Sequence, residues 1–333
     1  MACIPQSFLD SAELMRPLSH IISAIETPFN IYGILLIYYK TPFRMRSMKW
    51  TMLIAHISST ISDIMLGTMT IPFVFFPAIS GVPLGTLSDI GLNAFVQTFV
   101  TVGCIGEVGA SIALMFENRQ NQAVTSSFKI RTKLGRYFFT IINLTMPFFF
   151  MLPVFLQIPD QEISKNNIIK DNPCLSHEFS EYPVIVVTDQ PRLVGILFVF
   201  ITVFYLSQAF VFILHSSWYL CRSAHITNLS QRTKKLQRKY FTAVCIQIAI
   251  PLLIIATPVY YFIFSIITDY YNQKLNNLCF LIMSLHGFFA TLVTLLIYEQ
   301  YRLFTINLIL CRKQPVLTPS FSNKSTIETT FVN

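Results

Sequence analysis

Seven stretches of this chain are too long and too apolar to share one water-soluble core. They run over roughly 18–39, 51–77, 91–116, 137–158, 193–219, 240–267 and 279–298. A helix needs about 20 mostly apolar residues to cross the hydrocarbon of a bilayer. Most of the seven are apolar around the whole helical circumference, and none is dominated by the ten-residue alternation of a barrel strand. Only 12% of the 333 residues are charged, against about a quarter in a soluble domain. The predicted fold is an all-α membrane protein: a seven-transmembrane helix bundle within residues 1–311, followed by a Ser-, Thr- and Lys-rich tail, 312–333, expected to be disordered. The second run holds Pro72 and Pro77, and its helix is expected to end near Pro72, the chain leaving the membrane through PAISGVPLG.

Charge orients the bundle. Nineteen of the 24 Lys and Arg fall in alternate connections and the tail, among them Lys40 to Lys49, Arg119 to Arg136, Arg222 to Lys239, and Arg302 onward. The opposite side keeps Arg16, Lys165, Lys170, Arg192 and Lys274, and its longest loop, 159–191, is rich in Asp and Glu. Short cytoplasmic loops collect basic residues, so the N-terminus is expected outside and the C-terminus in the cytoplasm. A formal charge of +8 distributed in this way reads as topology, not as a nucleic-acid surface. The seven cysteines show no CxxC spacing, so neither a metal centre nor a disulfide framework is expected, and no cofactor is implied.

Blocks along the chain carry a family resemblance. PFNIYGILLIYYKTPFRMRSMKW enters the first loop, ISDIM lies in the second span, and PFVFFPAISGVPLG follows. LMFENRQ closes the third span, LQRKYFTAVCIQIAIP enters the sixth, and YYNQKLNNLCF and HGFFATLVTL mark the seventh. In this order the blocks resemble the class H nematode serpentine chemoreceptors, a group of seven-transmembrane G-protein-coupled receptors. The resemblance implies a chemosensory receptor at the plasma membrane, in the cilia of sensory neurons. It implies a small-molecule ligand and a heterotrimeric G protein as partners, beside membrane lipid. Glu117, Asn118 and Arg119 resemble the acid-x-arginine motif that ends the third helix of rhodopsin-like receptors, and Asp63 stands where many of those receptors carry an acidic activation residue. Two features depart from the pattern. The seventh span has no NPxxY, although Tyr298 and Tyr301 sit near its inner end. No cysteine begins the third span either: Cys104 lies about 13 residues in, ~20 Å down the helix, far from Cys174 in the outer loop.

Ionisable residues inside a span are expensive and are candidate functional groups. Asp63, about 18 Å from the start of its span, is either a node whose hydration differs between two receptor states or a packing hydrogen bond to Ser or Asn. Glu107, about 15 Å above Glu117, is either a ligand counter-ion or bonded to a neighbouring helix. Glu26 is expected to reach toward the outer interface. His56, His215 and His286 lie on different helices; ordinary hydrogen bonding competes with metal ligation, and no metal site is expected. Pro251 and Pro258 are hinge candidates in the sixth span or simple kinks. QRTKKLQRKY meets either a G protein or anionic headgroups, and Arg119 is expected to pair with an acidic group at rest. EQYRLFTINLILCRK reads as a short helix along the membrane, with Cys311 a palmitoylation candidate or a plain thiol.

A ligand pocket is expected between spans three, five, six and seven, with Gln97, Thr101, Glu107, Phe204, Gln208, Tyr260 and Tyr261 within reach by depth. The competing function class, a seven-helix transporter or ligand-gated channel, predicts paired broken helices in related halves, and no such repeat is visible. No HExxH, GxSxG or Gly-rich phosphate loop argues for an enzyme.

Overall fold

The computed structural model describes residues 8–123, 129–171, 181–226 and 231–311. The first span is Ala12–Lys40, and the second is Arg46–Ile64, prolonged by a π turn at Met65–Met69. The third is Ala94–Ala123, the fourth Lys133–Phe155, the fifth Pro191–Ile226 and the sixth Gln231–Thr268. The seventh comes in two pieces, Gln273–Ser284 and His286–Ile297. All seven contain a stretch long and apolar enough to cross a membrane.

Local signals fix several starts. Ser11, Thr132 and Asn272 each turn a side-chain oxygen onto a backbone N–H three residues on, at 3.3, 3.1 and 3.2 Å, capping the first, fourth and seventh spans. The third span is the hub, packed against the second, fourth and fifth. A Cβ at Gly106 would lie 2.5 Å from the ring of Pro147, so glycine is what lets the third and fourth spans approach. Large apolar side chains such as Ile25, Phe149, Ile196, Phe210 and Leu253 stay exposed on the bundle, too much grease for water and ordinary for lipid.

Apolar clusters fill both halves of the bundle. One half holds Phe73, Phe75, Phe262, Phe280 and Met283; the other holds Met48, Met52, Phe116, Val244 and Tyr301. The latter half is closed by the helix Glu299–Ile309, which the sequence expected. It docks on the first span through Tyr32 to Thr305 at 2.7 Å and Tyr301 to Thr41 at 2.8 Å.

The second helix stops close to Pro72, as its sequence suggests, and well short of Pro77. It ends in the π turn, and the following residues form a small antiparallel sheet outside the spans: β1, Pro72–Val74; β2, Ser80–Pro83; β3, Ile185–Val186. Proline cannot donate the helical bond, and Phe73, Val74 and Val82 suit a half-buried pleat. The bundle is therefore helical throughout its spans but not strand-free. Residues 312–333 lie outside the described residues, as does Cys174.

Candidate receptor site

Three polar or hollow regions occupy successive levels of the bundle. At mid-depth, Asp63 of the second span meets His286 of the seventh, with Asp63 Oδ1 and His286 Nδ1 2.6 Å apart. Both side chains are 1% exposed. His286 Nδ1 also lies 2.9 Å from the Met283 carbonyl, an acceptor only, so the proton sits on Nδ1 and is shared between the two. Asp63 further accepts from Asn30 Nδ2 at 2.9 Å and from the Gly287 N–H at 3.4 Å. Thr291 donates to Asn30 Oδ1 at 3.1 Å. His56 Nε2 lies 3.2 Å from Thr294 Oγ1, whose own proton goes to the Ala290 carbonyl, so His56 is the donor there.

The node explains the break in the seventh span. Helical bonding lapses at Leu285 with no proline to cause it, and His286 takes up the Met283 carbonyl that the lapse frees. Gly287 follows because a Cβ there would collide with the Asp63 carboxylate. Glu26 departs from expectation. It is 1% exposed rather than at an interface, and neither carboxylate oxygen has a hydrogen-bond partner among the described residues. Its helix starts at Ala12, which puts Glu26 about 21 Å along it. It lies on the buried face shared by Ser19, Ser23 and Asn30.

At the basic end, Glu117 and Asn118 are buried. The acid of the acid-x-arginine triplet pairs with Arg136 at the start of the fourth span, 3.2 Å from Glu117 Oε2, and not with Arg119. Arg136 also donates to Asn118 Oδ1 at 2.9 Å, and to Asn121 at 2.9 and 3.2 Å once that amide is turned to offer its oxygen. Asn118 Nδ2 reaches Ser47 O and Thr51 Oγ1 of the second span at 3.1 and 3.0 Å. Arg119 is half-buried and lies near Cys245 of the sixth span. Gln120 meets His215 of the fifth at 2.9 Å, so the end of the third span touches the second, fourth, fifth and sixth.

At the other end, a cavity of about 530 Å³ lies beneath the sheet, within the size range of small-molecule sites. Spans three to six wall it, with Phe280 and Met283 from the seventh. Among the pocket candidates, Thr101 and Tyr260 line it. Gln97 instead braces the connection before the third span, donating to Leu92 O at 2.8 Å and accepting from Ser88 Oγ at 3.3 Å. Tyr261 bonds to Asn272 O and Asn276 Oδ1. Phe204 and Gln208 face a groove between the fourth and fifth spans, and half-buried Glu107 is not among the lining residues. Pro251 and Pro258 lie within a continuous sixth helix; Pro258 is buried, and the side chain of Pro251 lies outside the described ones. Cys311 is exposed just beyond the last helix. Among the described residues no cluster of His, Cys, Asp and Glu could hold a metal.

A family model described as "Serpentine type 7TM GPCR chemoreceptor Srh" matches residues 10–311. The chain belongs to the Srh family of serpentine chemoreceptors. This Srh receptor is similar to serpentine receptor class H-72 of Caenorhabditis elegans, with 26% identity over 317 residues covering 95% of this chain and 91% of that one. Its fold matches the crystal structure of squid rhodopsin with a TM-score of 0.57 at 11% identity, covering 94% of this chain and 90% of that one. The Srh chain is therefore a multi-pass membrane protein with the rhodopsin-like seven-helix fold and a receptor of the G-protein-coupled type.

The residues that sequence reading missed share a reason. Asn30, Gly287 and Arg136 become significant only through partners on other spans. The seventh-span HGFFATL block held the nearest signal, a histidine beside a glycine in an apolar run.

Proposed function

We propose that this Srh protein detects a small-molecule chemical cue outside the cell and activates a heterotrimeric G protein at its basic end. The observation that carries the reading is a covered apolar cavity at one end of a bundle whose other end bears Glu117, Asn118 and Arg119 on a helix touching four neighbouring spans. A ligand that binds one packing of the spans more tightly than another shifts the population toward it. The polar node at Asp63 and the broken seventh span lie between the two ends, where two packings would differ. The excess of Lys and Arg favours a cytoplasmic basic end and an outward sheet end. Membership of the chemoreceptor family supports placement at the plasma membrane, in the cilia of sensory neurons.

Glu117, Asn118, Arg119, Asp63, Pro251 and Pro258 are assigned to activation and coupling. Thr101 and Tyr260 are assigned to the ligand pocket, and Cys311 remains a candidate for palmitoylation. The test is nucleotide exchange on purified heterotrimers by membranes that carry the receptor, screened with volatile and water-soluble odorants. A stimulated rate that Arg119→Ala abolishes at equal surface expression supports the proposal. A ligand-gated current in bilayers without G protein refutes it in favour of a channel.

A further inference from the structure

Among the described residues, the sheet roofs the cavity at the end that the proposed orientation turns outward. β2 bonds to β1 and to β3, and the roof is pinned at both margins. Gln273 Nε2 of the seventh span donates to Val74 O at 3.2 Å, and Asn276 Nδ2 donates to Phe76 O at 3.2 Å. On the other margin Gln161 exchanges two bonds with Val186, at 2.9 and 3.0 Å. Phe76 stacks on Phe262 with ring centroids 4.4 Å apart. Phe73 and Phe75, the roof's own rings, are 1% and 0% exposed.

The flank between the fifth and sixth spans is different. Leu206, Leu253, Ala256 and Tyr260 line the cavity and are also exposed on the outside of the bundle, Leu253 at 65% and Tyr260 at 74%. Leu253, Ala256 and Tyr260 fall three and four residues apart, on one helical face. That face is turned to lipid. Residues that border both the cavity and the outside of the bundle make this flank a wall one side chain thick.

The lining states the chemistry of the occupant. Among the described residues no Asp, Glu, Lys, Arg or His borders the cavity. Of its lining hydroxyls, Thr98, Thr101 and Tyr205 donate their protons to protein carbonyls, and Thr70 meets Thr101. Ser80 in the roof is 1% exposed, and its Oγ has no partner among the described residues. A buried hydroxyl left without a partner costs on the order of 1–3 kcal/mol, which a ligand oxygen placed against it would recover.

We infer that the cavity takes a neutral, mainly apolar molecule with one hydrogen-bonding oxygen, such as an aliphatic ketone or alcohol, admitted from the bilayer between the fifth and sixth spans. The inference rests on the receptor reading for its biological sense, but it is tested by occupancy alone.

The receptor in phosphatidylcholine nanodiscs is loaded with three diazirine probes of equal chain length, a ketone, a carboxylate and a hydrocarbon, then photolysed and mapped by mass spectrometry. The ketone labels the third-span stretch around Thr101 and Ile105, and the carboxylate does not. Ser80→Ala weakens labelling by the ketone and leaves the hydrocarbon unchanged. Ala256→Trp and Leu206→Trp, each blocking the flank from one side, slow loading by about tenfold, the factor given by ~1.4 kcal/mol of added barrier. On the unmodified protein, a phosphatidylcholine carrying the ketone diazirine at one acyl-chain end, which cannot leave the bilayer, also labels the third-span stretch. Carboxylate labelling equal to that of the ketone overturns the ligand class. Failure of the lipid-borne probe to reach the third span overturns the route, whether or not the tryptophan variants fold. Nucleotide exchange that fails while the ketone still labels the cavity refutes the receptor reading and leaves this inference standing.

Discussion

Gly287→Ala is the sharpest test of the mid-membrane node. The added methyl would occupy the position of the Asp63 carboxylate, with Asn30 Nδ2 a further 3.1 Å neighbour. Both are side chains held by other bonds, so one must leave. Forcing a methyl into a packed site costs about 1–3 kcal/mol, and displacing Asp63 gives up hydrogen bonds to a buried carboxylate worth about 1.5–3 kcal/mol more. A loss near 4 kcal/mol follows, which lowers the melting temperature of a chain this size by about 10 °C. Thermal unfolding of the purified receptor, read by a thiol-reactive dye, reports it directly, because Cys104 and Cys279 are buried and free. Gly195→Ala is the matched control. Its Cβ would meet Ile266 at 3.4 Å, ordinary contact, and alanine is favoured over glycine in a helix by about 0.5–1 kcal/mol. The expected order is Gly195→Ala at or above wild type and Gly287→Ala far below. A Gly287→Ala receptor that melts within a degree of wild type would show that Asp63 does not occupy this position, and the node as described would be wrong.

Arg136→Ala leaves buried Glu117 without its cation and should destabilise by about 3 kcal/mol, whereas Arg136→Ala with Glu117→Gln should recover most of that; equal melting of the single and double variants would refute the pairing. Gln273→Ala and Gln161→Ala should each speed amide exchange over residues 72–83 without changing exchange in the third span, measured by deuterium uptake; unchanged uptake in both would mean that the sheet is not pinned by them. Burial raises the Tyr301 phenol above its usual value, partly offset by its bond to Thr41. The unfolded chain then loses this proton first, so the group's contribution is intact below the usual phenol range and declines as pH rises through it. The stability difference between wild type and Tyr301→Phe should therefore narrow above about pH 10, followed by urea melts in detergent; a constant difference would refute the burial. Tags at the two ends should be accessible on opposite faces of intact cells, the N-terminal one from outside; accessibility on the same face would overturn the assigned topology.

The order of apolar runs and charged connections determined a great deal. Each span must satisfy its own backbone bonds in lipid, so length and greasiness alone declare a helix, and the basic loops give the side expected to face the cytoplasm. The blocks from PFNIYG to HGFFATL carried the family. Those are local properties, legible along one strand of text. Tertiary structure decided everything that needs two spans at once. Asp63 was visible as a costly residue, but only packing supplied His286 and Asn30 as its partners. Glu117 was visible as half of a motif, but only the fourth span's approach made Arg136, not Arg119, its counter-ion. Glu26 misled because depth was counted from the apolar run, whereas the helix begins earlier and turns that face inward. The pocket fared similarly: Gln97 and Thr101, one turn apart on the same face of the third span, were both within reach by depth, and only the sheet and the preceding connection decided that one borders the cavity and the other braces a loop. Depth follows from counting residues at a fixed rise; which way a side chain points in an all-round apolar helix does not, because lipid and protein neighbours make the same demand on sequence.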